Sequence, residues 1–132
     1  MKTVFYHGIL AGLLAAIASD VYNNVYSMAL VVDFSKVVNV GGIVGASIFG
    51  CVLASLGEHF FSKWVKSNTA VWFNALFLIL TFASCVGPFS VILPMDMASP
   101  ELFPGLTIPM HFFPILFWLA MKPLFEKNNL TA

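Results

Sequence analysis

Long apolar runs broken by short polar islands dominate this chain. About 20 apolar residues span the roughly 30 Å hydrocarbon core of a bilayer. Four stretches qualify, at residues 4–28, 40–61, 70–93 and 106–125. Their purest parts read GILAGLLAAIA, GGIVGASIFGCVLASLG, ALFLILTFASC and HFFPILFWLA. A backbone facing lipid must satisfy its own hydrogen bonds, so each run reads as a helix. The pattern predicts an all-α, four-transmembrane-helix bundle forming a single integral membrane domain.

Composition strengthens that reading. Of 132 residues, 60% are hydrophobic and 9% charged, with a mean hydropathy of +0.93. A soluble domain carries roughly a quarter charged residues, so these charges could not cover a water-facing surface. All basic residues are lysines, and formal net charge is zero. Without arginine there is no guanidinium fork, and the clustered basic face of a nucleic-acid binder is missing. Cys51 and Cys85 fall in apolar runs and read as small packing residues.

Lysine placement orients the bundle. Lys2, Lys63, Lys66, Lys122 and Lys127 fall at the amino terminus, the second loop and the carboxyl tail, which share one side of a four-span protein. The other side has Lys36 against Asp33, Asp96 and Glu101. The positive-inside rule then makes both termini cytoplasmic. A competing reading treats MKTVFYHGILAGLLAAIAS, with its Ala16-x-Ala18 pattern, as a cleavable signal peptide, leaving three spans. The apolar run that continues through VYSMALVV favours an uncleaved helix.

Small residues suggest how the helices meet. Gly8 and Gly12 in the first span, and Gly42, Ala46, Gly50 and Ala54 in the second, recur every four residues. Such stripes let backbones approach closely in lipid. They predict contact between spans one and two, with homodimerisation through the same ridge as the alternative. In the third span Asn74, Thr81 and Pro88 fall seven residues apart and should face the bundle interior, with Pro88 kinking the helix near its outer end.

Polar residues mark two levels. With a rise of about 1.5 Å per residue, Asp20 lies roughly 24 Å above the inner boundary and His111 roughly 7 Å below the outer one. In a core about 30 Å thick these levels coincide. Ser84 and Pro88 bracket that level, Ser47 lies near it, and Asn24 sits one turn beyond Asp20. Pro109 reads as a first-turn proline, whereas Pro114 is interior and should bend the fourth span. An intramembrane acid and imidazole beside broken helices form a candidate ligand pocket: His111, Asp20, Ser84, Pro88, Asn24 and Ser47. A second group, His7, Ser55, Glu58, His59 and Asn74, gathers at the cytoplasmic end, where interfacial solvation explains it. Neither a metal site nor a cofactor is predicted.

The segments GAS (45–47), SCVGPF (84–89) and MHFF (110–113) resemble an uncharacterised family of small bacterial four-helix membrane proteins, a domain of unknown function. The family's Ser-x-x-Gly-Pro and Met-His motifs map onto Ser84, Gly87, Pro88, Met110 and His111. The resemblance implies a four-helix fold in a bacterial inner membrane and no established activity.

Three functions compete. The first is a non-enzymatic membrane subunit, or a binder of a lipid-like molecule in the outer half of the bundle. The second is a membrane enzyme using His111 and Asp20 as an acid–base pair on a lipophilic substrate. The third is a small proton-coupled transporter. With no nucleophile elbow, phosphate loop or CxxC motif in the chain, the first is favoured. The expected partners are the bilayer and a lipophilic small molecule.

Overall fold

The computed structural model describes residues 2–65 and 67–126. Lys66 and Lys127, which contribute to the orientation argument, lie outside them. Among the described residues every regular element is helical: α1 (Lys2–Leu30), α2 (Val40–Trp64), α3 (Thr69–Ser84), the short α4 (Gly87–Ser90), a 3₁₀ turn (Pro100–Leu102) and α5 (Phe103–Glu126). Four helical stretches, at Lys2–Leu30, Val40–Trp64, Thr69–Ser90 and Pro100–Phe125, are long and apolar enough to cross a membrane. Large apolar side chains such as Ile17, Phe49, Ile79 and Phe82 stand outward, where lipid would cover them.

The two long helices α1 and α2 form the tightest pair. A Cβ on Gly8 would lie 2.7 Å from the Val52 Cα, and one on Gly12 would lie 2.5 Å from the Ile48 Cα. Only the missing side chains permit that approach. The surface they meet on α2, however, is the buried row Ser47, Cys51 and Ser55, with Ile48 and Val52 beside it. The stripe of Gly42, Ala46 and Gly50 lies one residue round the helix and is not the contact face. Serine and cysteine are small enough to serve the same role, so α2 carries two adjacent small ridges. The Ser/Cys ridge packs, and the Gly/Ala ridge is left facing space: a Cβ on Gly50 would meet nothing within 4 Å. Ala54 alone of that stripe joins the core, with Ala11, Cys51, Phe73 and Trp118.

Helix α5 runs antiparallel to α1 and is continuous through Pro109, Pro114 and Pro123. Because α5 begins at Phe103, Pro109 is an interior residue and not the first-turn proline expected from the hydropathy boundary. Its missing N–H frees the Gly105 carbonyl four residues back. The Tyr22 hydroxyl fills the gap, donating to that oxygen at 3.0 Å, and Tyr26 donates to the Leu102 carbonyl at 2.8 Å. Gly105 makes room for these rings, since a Cβ there would fall 2.5 Å from the Tyr26 hydroxyl.

Helix α3 stands further off: Phe73 and Thr81 are buried on it, against His7, Gly8, Ala11, Gly12, Ala15, Ala16 and Ser19 on α1. It stops at Ser84, just before Gly87 and Pro88, and a separate turn follows. The expected interior stripe is present, as Thr81 and Pro88 are buried and Asn74 is half-buried. The loop 31–39 is anchored by Phe34, buried edge-on against Phe103 with ring centres 5.5 Å apart. It ends at Asn39, whose side chain accepts from the Gly42 N–H at 2.8 Å and caps α2.

Candidate functional site

At the end of the bundle where the chain begins, four helices converge on Trp118 and Lys122. Their spacing of four puts both on one face of α5. The Trp118 ring is fully buried and donates its Nε1–H to the Ser55 Oγ at 2.8 Å. His7 Nε2 lies 2.9 Å from the Trp118 carbonyl, which can only accept, so Nε2 carries the proton. The His7 ring also stacks on the indole, with centres 5.1 Å apart. Lys122 is buried, ion-paired with Glu58, and donates to the Asn74 Oδ1 at 3.2 Å. Its ammonium lies 4.9 Å from the Trp118 ring centre, in cation–π range. These contacts tie α1, α2, α3 and α5 together around a recess of about 280 Å³ lined by His7, Ser55, Glu58, His59 and Thr69.

His7, Ser55, Glu58 and Asn74 of the second polar group are thus drawn into a network and not merely solvated, whereas His59 only lines the recess. Lys122 and Trp118 were the network's missing members. Lys122 reads from sequence as a topology marker. Only the one-turn spacing of the two hints that they share a face. Among the described residues, no group of three or more His, Cys, Asp or Glu side chains is placed to hold a metal ion.

Beyond Trp118 the helices part. A cleft of about 600 Å³ opens between α2, α3 and α5. One wall is the unoccupied Gly/Ala ridge of α2: Gly42, Ala46, Gly50, then Ala54 and Gly57. Phe73, Leu76, Phe77 and Leu80 of α3 face it. Met110, His111 and Pro114 of α5 complete the enclosure. Phe73 and Phe77 pack against the Trp118 ring at 5.7 and 5.4 Å, so the aromatic cluster separates the cleft from the recess below. Ser47, Thr81, Ser84, Thr107 and His111 all lie in the half further from that floor. The cleft is therefore apolar at its closed end and polar toward the α1–α2 loop.

Of the six pocket residues expected from sequence, His111, Ser84 and Ser47 line this cleft, and Asp20, Asn24 and Pro88 do not. Asn24 is exposed and donates back to the Asp20 carbonyl at 2.8 Å. Pro88 is buried in α4. Among the described residues no hydrogen bond or ion pair joins Asp20 to His111. Two geometric facts explain this. The contacts of His7 with Trp118, Tyr22 with Gly105 and Tyr26 with Leu102 set the register of α1 on α5. That register puts Asp20 roughly one turn beyond the level of His111. Successive helical residues also point about 100° apart, and Ser19, not Asp20, occupies the buried face of α1.

Ser19 is the residue that sequence reasoning missed. It is 1% exposed, lines the cleft, and its hydroxyl has no hydrogen-bond partner among the described residues. Ser19 adjoins Asp20 in the chain, and only the register of α1 shows which of the two faces inward. By contrast, the His111 Nδ1 lies 2.7 Å from the Thr107 carbonyl, leaving Nε2 for other partners.

No protein-family model, curated protein or solved structure matches the chain.

Proposed function

We propose that this chain is a multi-pass membrane protein that holds a lipid-like amphiphile in the cleft between α2, α3 and α5, without transforming it. The observation that carries this reading is the cleft itself. Its volume of about 600 Å³ falls within the ~300–1,000 Å³ range of small-molecule sites, and its apolar walls with a few convergent polar groups match their usual make-up. Its polarity runs in one direction, as a molecule with a tail and a headgroup requires. Among the described residues no carboxylate or ammonium lines it, which supports binding over acid–base turnover. Both termini lie on the cytoplasmic side in this reading, in a bacterial inner membrane. The lysine bias supports the orientation, and the motif resemblance supports the membrane.

Native mass spectrometry of the gently extracted chain tests the reading. The expected species is a monomer carrying a non-covalent adduct of lipid mass. A bare dimer would instead favour the Gly42–Gly50 ridge as a self-association face. Orientation is checked by thiol labelling: a cysteine at Ser99 should react in intact cells, and one at Ser67 only after permeabilisation.

A further inference from the structure

We infer that the occupant of the cleft is an uncharged amphiphile with a hydroxyl headgroup, a lipid alcohol or phenol, and not one that only accepts hydrogen bonds. The inference rests on the reading of the cleft as a lipid site. It comes from following each polar hydrogen that faces the cavity. A serine or threonine hydroxyl has one proton to donate and two lone pairs. Thr81 donates its proton to the Phe77 carbonyl at 2.9 Å, Ser84 to the Thr81 carbonyl at 2.7 Å, and Thr107 to the Phe103 carbonyl at 2.9 Å. All three are therefore committed as donors within their own helices and present only lone pairs to the cavity.

His111 reaches the same condition by another route. Its Nδ1 faces the Thr107 carbonyl, which cannot donate, so the proton sits on Nδ1. In the neutral ring Nε2 is then an acceptor. Ser19 supplies the complement, a buried hydroxyl without a partner among the described residues and able to donate; the Ser47 hydroxyl, which also lines the cleft, is a second donor not committed within its own helix. Asn39 has a free amide group, but it is exposed at the mouth, where water serves it.

A headgroup that enters this environment meets several acceptors and two hydroxyls, those of Ser19 and Ser47, that are free to donate. An O–H group answers both: its proton goes to an acceptor such as the His111 Nε2, and its oxygen receives the Ser19 proton. An ether or ester oxygen would leave the acceptors unpaired. A phosphate or carboxylate would find no countercharge among the lining residues, and burying an unpaired charge is more costly still.

The test uses the full chain in nanodiscs and three matched probes: 4-dodecylphenol, its methyl ether, and 4-dodecylbenzoate. Native mass spectrometry reads their retention over a concentration series. The expected result is retention of the phenol about ten-fold tighter than the ether, the factor one hydrogen bond supplies, with the benzoate weakest. In the His111→Phe variant the phenol-to-ether ratio should fall toward unity, the ether serving as internal control for folding. Should that variant fail to fold, His111→Leu removes the same acceptor with a smaller change in volume and reads the same ratio. Equal binding of phenol and ether, or tightest binding of the benzoate, overturns the headgroup assignment and leaves the lipid site intact. If none of the three binds, the lipid site itself is overturned.

Discussion

At the end of the bundle where the chain begins, Lys122, Glu58, Asn74, Ser55, Trp118 and His7 link four helices side chain to side chain. Half a helix away, Ser47, Thr81, Ser84 and Thr107 face a cavity and either bond their own backbone or wait for a partner. Both regions contain serine and histidine. What separates them is whether polar groups are satisfied across helices or within them. Cross-helix contacts hold α3 to the bundle at Asn74. Where such contacts cease, α3 diverges and the cleft opens. The same division appears in the small residues, since Gly12 permits backbone contact and Gly50 leaves a void.

The largest expected effect breaks the tied end. Lys122→Met leaves the Glu58 carboxylate half-buried with no ion-pair partner, and breaking a buried pair costs about 3–5 kcal/mol, toward the lower end where water reaches. The double variant Glu58→Gln/Lys122→Met should recover most of the loss, because the stranded charge is gone. Unfolding in mixed micelles by increasing SDS measures both. Equal sensitivity at Ser84 would erase the contrast between the two ends.

A pair of one-methyl changes sharpens it. Gly12→Ala inserts a Cβ against the Ile48 backbone, and overpacking of that kind costs about 1–3 kcal/mol. Gly50→Ala meets open space and should be neutral or stabilising by up to about 1 kcal/mol, through helix propensity alone. The same unfolding assay should place Gly12→Ala below the parent and Gly50→Ala level with it or above.

How much of this was legible in the chain follows from what hydropathy can and cannot encode. The four spans came through within a few residues because bilayer thickness dictates their length. Their ends moved where capping or prolines intervened: α5 starts at Phe103, which turns Pro109 into an interior residue needing Tyr22. Ser47, Ser84 and His111 were identifiable, since a polar residue in an apolar run must go somewhere protected. Which face it takes was not identifiable for Asp20, because a shift of one residue rotates a side chain by about 100°. Ser19 takes the inward position instead. The Gly/Ala ridge of α2 misled for a related reason: small residues mark where contact is allowed, not where it occurs.

The smallest expected effect lies outside the spans, in the loop above the cleft. The Asp33 carboxylate accepts from the Ser35 N–H at 2.9 Å, and its hydrogen bonds to Ser35 hold its pKa below the usual aspartate value. Being depressed on folding, this pKa gives stability that is present above the unfolded value of about 4 and is lost as pH falls through the folded one. The protection of the Ser35 amide against hydrogen exchange, relative to its intrinsic rate at each pH, should therefore fall below pH ~4 with the helices unchanged. The Asp33→Asn variant should abolish that pH dependence.

The central claim is that the space along the Gly/Ala ridge is a binding site, and filling it tests the claim most directly. Gly50→Phe projects a ring into the cleft from a position with no atom within 4 Å of its Cβ. Gly45→Phe adds the same ring to α2 at an exposed position, equally unobstructed, that does not line the cleft. Native mass spectrometry of the parent and both variants, extracted identically, compares the retained adduct. The account predicts that the parent and Gly45→Phe keep it and Gly50→Phe loses it. Undiminished retention by a folded Gly50→Phe would contradict it.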